Sequence, residues 1–112
     1  MARPDNIFSA IPDALDSEIF ELLAAGGDTR IERIISRGQS SPDSGWYNQP
    51  QSEWVIVLRG SALVEYQSGE AFRLEEGSHL NIPAGTAHRV AWTASDTETV
   101  WLAVHYGRGA PM

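Results

Sequence analysis

The side chains that this sequence offers for chemistry are imidazoles, carboxylates and amides. It has neither cysteine nor lysine, which excludes thiolate metal sites, cysteine nucleophiles and lysine Schiff bases. The motifs G-x-S-x-G and H-E-x-x-H and a phosphate-binding loop are also absent. Three histidines, His79, His88 and His105, remain beside 15 acidic residues, and imidazole with carboxylate supports acid–base catalysis or binding of a divalent ion.

An ordered series of turn residues leads to one of these histidines. Gly77 is followed after five residues by Pro83, after one more by Gly85, and after two more by His88. This series resembles the second sequence motif of the cupin superfamily, G-x5-P-x-G-x2-H-x3-N. Only the last position differs, where Trp92 replaces asparagine. Glycine and proline permit sharp bends between strands, and the resemblance implies that His88 begins a strand and points into a barrel.

The first cupin motif, G-x5-H-x-H-x3,4-E-x6-G, is present only in its second half. Glu53 is followed after six residues by a glycine, as the motif requires, but both motif histidines are absent. A three-residue gap before Glu53 places Gln49 and Tyr47 at their positions. A four-residue gap places Asn48 and Trp46 there instead. The resemblance extends over about residues 38–107.

In metal-bearing cupins, the motif histidines and the glutamate hold a transition metal. The resemblance carries this role over to Glu53 and His88 alone, which is fewer than the three or four ligands that such ions normally take. Gln49 can add an amide oxygen, and His105 shares a strand face with Trp101 because side chains alternate along a strand. The resemblance therefore implies a divalent site for Fe, Mn, Ni or Zn formed by Gln49, Glu53, His88 and His105. Tyr47 and Trp101 are expected to line the ligand cavity.

Two functions are compatible with this pattern. One is a metal-dependent enzyme of the dioxygenase, isomerase or lyase type that acts on a small molecule. The other is a metal-free cupin that binds a small molecule as a sensor, carrier or acid–base catalyst, with Glu53 and His88 as the catalytic pair. A structural role for His105 and ordinary turn roles for Gln49 and Asn48 stay open, and His79 is expected to face solvent.

Short strands must position these side chains. Turn residues separate predicted strands at residues 30–36, 53–59, 61–67, 71–74, 79–82, 87–92 and 97–106. This succession, without crossover helices, predicts an all-β sandwich or barrel, and the cupin resemblance implies an antiparallel, jelly-roll-like barrel. Before it, the apolar cluster in residues 17–25, followed by Gly26-Gly27, predicts a short helix. We expect an N-terminal helix and strand, residues 1–37, packing on a barrel of residues 38–112 within one domain.

Two predicted strands, 54–58 and 100–104, are apolar throughout, which indicates that both of their faces are covered. One face lines the barrel, and the other needs the N-terminal segment or a second subunit. We therefore predict a homodimer.

The charge of the chain limits its partners. Fifteen acidic residues against eight scattered arginines give a net charge of −7, which argues against binding to nucleic acid or to an anionic membrane. No apolar run approaches the length of a membrane span, and the first residues lack the pattern of a secretory signal. We expect a cytoplasmic protein whose partner is a small-molecule ligand.

Overall fold

The computed structural model describes residues 3–41 and 45–107. These residues form two antiparallel sheets, and no helix occurs among them. The strands are β1 (Ile19–Gly26), β2 (Thr29–Ser36), β3 (Ser52–Arg59), β4 (Ala62–Tyr66), β5 (Ala71–Leu74), β6 (His79–Ile82), β7 (His88–Thr93) and β8 (Thr99–Tyr106). One sheet has the order β1-β2-β8-β3-β6 and the other the order β5-β4-β7. The predicted all-β antiparallel architecture is confirmed.

The predicted helix over residues 17–25 is wrong. This segment contributes most of β1, which pairs with β2 from Ile19 opposite Ile35 to Gly26 opposite Thr29. An isolated helix of this length is marginal in water, whereas pairing with β2 satisfies the backbone groups along the whole segment. Gly27, with φ of +56°, lies in the tight turn between β1 and β2 and is not a helix cap.

The core lies between the two sheets. Along β3 and β8 the side chains alternate, so that Val55, Val57, Trp101 and Ala103 are buried on the inner face. On the outer face of the same strands, Val100 is fully buried, whereas Leu102, Val104 and the apolar outer residues of β3 are only partly buried in the single chain. The expectation that both faces are covered is therefore met on the inner side, while the outer side retains accessible apolar surface.

The segment before β1 covers one part of that outer face. The Arg33 guanidinium is buried there and donates hydrogen bonds to the carbonyls of Ile7, at 3.0 Å, and Ser9, at 2.6 Å, and to the Glu21 carboxylate. Arg59 lies 4.4 Å above the ring of Phe8. These contacts attach the N-terminal segment to the back of the five-stranded sheet, behind the inner face that carries the cavity.

No helix in residues 3–41 or 45–107 has the length and apolarity that a membrane crossing requires.

Candidate functional site

A cavity of about 280 Å³ opens between the two sheets. Most of its wall is apolar, with side chains from both sheets, among them Phe20, Ile34, Val55, Val64, Ile82, Val90 and Trp101. Its polar groups include Glu32, Gln49, Glu53, His88 and His105. An apolar cavity with a few convergent polar groups is the usual form of a small-molecule site.

Strand pairing brings Glu53 and His105 together. Glu53 near the start of β3 is directly opposite His105 near the end of β8, and both side chains lie on the inner face. His105 is also directly opposite Arg30 of β2. Since opposite residues in a pair of strands have neighbouring side chains, the register alone places a carboxylate beside an imidazole.

His88 reaches the same point from the other sheet. It begins β7, where its backbone forms two hydrogen bonds with Tyr47, at 2.8 and 2.9 Å. The carbonyl of Gln49 accepts a hydrogen bond from the Gly85 amide at 2.9 Å. The bend that carries Pro83 and Gly85 therefore fixes the segment with Tyr47 and Gln49 at one side of the cavity.

The carboxylate of Glu53 lies between two imidazoles. Its Oε1 is 3.4 Å from His88 Nε2 and accepts a hydrogen bond from the Gln49 amide at 3.0 Å. Its Oε2 is 3.9 Å from His105 Nε2, which also lies 3.1 Å from Glu32 Oε1. The side chains of Glu53, His88 and His105 are at most 12% exposed, so water screens these interactions weakly.

The pair of Glu53 and His88 is electrostatically matched. Burial alone would raise the pKa of Glu53, but the hydrogen bond with His88, the charges of His105 and His88, and the hydrogen bond from Gln49 together lower it. Burial would likewise lower the pKa of His88, but hydrogen bonds with Glu53 and the Thr86 carbonyl, together with the Glu53 charge, raise it. Each partner thus stabilises the charged form of the other.

The tautomer of His88 follows from its second nitrogen. Nδ1 lies 2.9 Å from the Thr86 carbonyl oxygen, which can only accept, so Nδ1 carries a hydrogen. Nε2, which faces Glu53, then carries the proton that is gained when the imidazole becomes charged. The transferable proton of His88 therefore points into the cavity, towards the carboxylate.

Two buried nitrogen atoms at the cavity have no hydrogen-bond partner among the described residues. They are Nε1 of Trp101, a residue only 3% exposed, and Nδ1 of His105, a residue 6% exposed. Buried polar atoms are normally paired, because an unpaired donor costs free energy. Both residues line the cavity, and each retains a buried nitrogen that no described residue pairs.

The structure brings together the site residues predicted from the sequence. Gln49, Glu53, His88, His105 and Trp101 line the cavity, together with the half-exposed Tyr47, whose ring centre is 6.0 Å from that of His88. The positions given by the three-residue gap thus lie at the cavity.

The remaining candidates lie elsewhere. Asn48 is exposed, and Trp46 stacks against Arg89 at 4.4 Å. His79 is exposed, as expected, and its ring lies 5.5 Å from that of Trp54.

Sequence reasoning missed Glu18, Arg30 and Glu32, which also line the cavity. Arg30, Glu32 and Ile34 are alternate residues of β2 and therefore lie on one face of the strand. The sequence already indicated this shared face, because it predicted a strand over residues 30–36. The sequence did not reveal that this face turns inward.

The predicted metal ligands are assembled without a metal-binding geometry. In the part of the chain that the structure describes, no three His, Asp or Glu side chains are arranged to hold a metal ion. Glu53 is paired with His88 and Gln49, and His105 with Glu32. In this arrangement the donor set does not fit a divalent ion.

Comparison with known proteins agrees with the fold. A crystal structure from Ralstonia eutropha JMP134, described as a "putative mannose-6-phosphate isomerase", is 43% identical, with 94% of this chain and 98% of that chain covered and a TM-score of 0.90. A Streptococcus pyogenes protein of unknown function is 22% identical, with 98% and 91% covered and a TM-score of 0.75. A cupin superfamily protein from Desulfitobacterium hafniense is 17% identical, with 95% and 92% covered and a TM-score of 0.75.

No curated protein matches the chain. A protein-family model described as "Cupin domain" matches residues 34–105 of this chain, which include both sequence motifs and every strand from β3 to β7. This chain belongs to the cupin family.

Proposed function

We propose that this cupin binds a small molecule in the cavity between its sheets and acts on it by proton transfer, with His88 as the acid and Glu53 as the base. The observation that carries the proposal is the His88–Glu53 pair, 3.4 Å apart and shielded from water. The proposed chemistry needs neither a disulfide nor a thiolate, and the chain has no cysteine. We place the protein in the cytoplasm, a reducing compartment with which this composition is compatible.

The pair is suited to moving a proton between neighbouring atoms of a ligand. His88 Nε2 can donate a proton to one atom, and a Glu53 oxygen can accept a proton from the next atom. The 43% identical Ralstonia protein is described as a "putative mannose-6-phosphate isomerase", and isomerisation is a reaction class that such a transfer serves. Gln49 orients Glu53 through its amide, and the Thr86 carbonyl orients His88.

A metal-dependent enzyme is the second candidate. In its favour, the Nε2 atoms of His88 and His105 face the two oxygens of one carboxylate. A divalent ion would require His88 and Gln49 to release Glu53, because the present contacts occupy these donors.

Calorimetric titration of chelator-treated protein with Mn²⁺, Fe²⁺, Ni²⁺ and Zn²⁺ distinguishes the two candidates. The proposal expects no stoichiometric binding by the wild type. Stoichiometric binding that is lost in His88→Ala and retained in the control His79→Ala would instead establish a metal site and overturn the proposal.

The acid–base assignment has its own test. A small-molecule panel is screened by thermal shift with chelator-treated wild type, and any ligand found is assayed for turnover. Glu53→Gln should abolish turnover, whereas the same change at the exposed Glu75, whose side chain is 56% exposed, should leave it unchanged. Full turnover by Glu53→Gln would remove Glu53 from the mechanism.

A further inference from the structure

We infer that the cavity selects an uncharged or cationic, hydroxyl- or amine-bearing small molecule and rejects phosphate esters and carboxylates. The inference rests on the proposed function and specifies the class of ligand. It predicts that this chain does not bind the phosphorylated sugar named in the description of its Ralstonia relative.

The charges at the cavity carry the argument. Three carboxylates line it, those of Glu18, Glu32 and Glu53. The one arginine among its described lining residues, Arg30, has a half-exposed side chain and lies 3.5 Å from Glu32. Both imidazoles also face carboxylates. Among the described lining residues, the arginine and both imidazoles thus already face carboxylates, so an anion would compete with these carboxylates for them, and one placed beside Glu53 would be repelled more strongly than in water.

The unpaired donor gives a second, independent indication. Trp101 lines the cavity, and its buried indole N–H has no partner among the described residues; because an N–H can only donate, an acceptor atom on the ligand would satisfy it. Glu53 and Glu32 can only accept when ionised, so they require donors on the ligand. A hydroxyl group meets both requirements, and an amine meets the second. A phosphate or carboxylate group meets only the first.

The size and walls of the cavity define the rest of the molecule. Its volume of about 280 Å³ corresponds to about nine water molecules, which is enough room for a ligand with a single six-membered ring, such as benzyl alcohol. The apolar side chains of Val64 and Val90 and the Trp101 ring line it, and these favour an apolar body over a fully polar one.

The test uses four probes that share one body and differ only in their head group: benzyl alcohol, benzylamine, benzoate and benzyl phosphate. Calorimetry with chelator-treated wild type should show that the alcohol and the amine bind roughly tenfold or more tighter than the two anions. Trp101→Phe should weaken the alcohol several-fold and leave the amine nearly unchanged, because only the alcohol accepts from the indole.

The carboxylate variants provide the internal control. Glu53→Gln, and independently Glu32→Gln, should reduce the preference over the anions to below about threefold, while Glu75→Gln should preserve it. Equal or tighter binding of an anion to chelator-treated wild type would overturn the inference. So would failure of all four probes to bind at millimolar concentration. Anion binding that appears only after a divalent ion is added would instead overturn the proposed metal-free function.

Discussion

A double-mutant cycle on Glu53 and His88 measures the interaction on which the proposed chemistry depends. The variants are Glu53→Gln, His88→Gln and the double substitution, each compared with wild type by urea unfolding. At the observed 3.4 Å, two unit charges attract by about 5 kcal/mol when the effective dielectric constant is about 20. In each single variant the remaining partner can relax or lose its charge, which reduces the measured coupling, so we expect about 1–3 kcal/mol.

The pH dependence has a definite sign. The pKa of His88 is raised on folding, so its stabilising contribution is present at low pH and is lost as the pH rises through the folded value. The pKa of Glu53 is lowered, so its contribution is present at higher pH and is lost as the pH falls through the folded value. The coupling should therefore be full at about pH 5.5, between the ordinary values of the two groups, and nearly absent at about pH 9.5.

A surface pair serves as the control. Arg73 and Glu75 lie 2.6 Å apart, but both side chains are more than half exposed. Their cycle should give about 0–1 kcal/mol at both pH values. A Glu53–His88 coupling that is close to zero at the lower pH, or unchanged at the higher pH, would refute the ion pair and the acid–base roles built on it.

Three further predictions concern stability and assembly. Gly60 has φ of +89°, and an added Cβ would lie 2.7 Å from the Thr99 Cα, so Gly60→Ala should lose about 3 kcal/mol or more in urea unfolding. Gly69→Ala, at a similar φ in open space, should lose only about 1 kcal/mol, and equal losses would contradict the steric argument. Burial raises the pKa of Glu18, so its ionisation destabilises the fold as the pH rises through that value. Glu18→Gln should thus melt higher than wild type at about pH 8 but not at about pH 4, and an equal difference at both would contradict this. The partly exposed outer face and the exposed Leu22 and Leu23 of β1 favour a homodimer, so light scattering should give twice the 12.3 kDa chain mass, and a mass near 12.3 kDa would exclude it.

The strands after residue 30 were predictable because their turns carry residue types with a physical meaning. Gly77 and Gly85 both adopt positive φ, and β5 and β6 have the predicted bounds. The helix predicted over residues 17–25 was wrong because the apolar residues of this segment suit a helix as well as an edge strand. Only pairing with β2, which is a tertiary contact, decides between them.

The site was predictable as far as the motifs extend. Glu53 and His88 could be named from spacing, and His105 followed from its alternation with Trp101 along β8. Glu32 has no motif, and its approach to His105 depends on the antiparallel register of β2 and β8. The contacts of Glu53 with His88 and Gln49, and that of His105 with Glu32, also depend on distances that residue types do not encode.

The proposed acid and the proposed base lie on opposite layers of the molecule. Glu53 belongs to the five-stranded sheet and His88 to the three-stranded sheet, so their separation is also a gauge of the gap between the layers. Core side chains such as Val57 and Val64 set that gap from a distance. A core substitution that spreads the layers would weaken both pKa shifts, and one that tightens them would strengthen both. Natural variation in the volume of the core can thus change the pKa values of Glu53 and His88 without any change in these two residues.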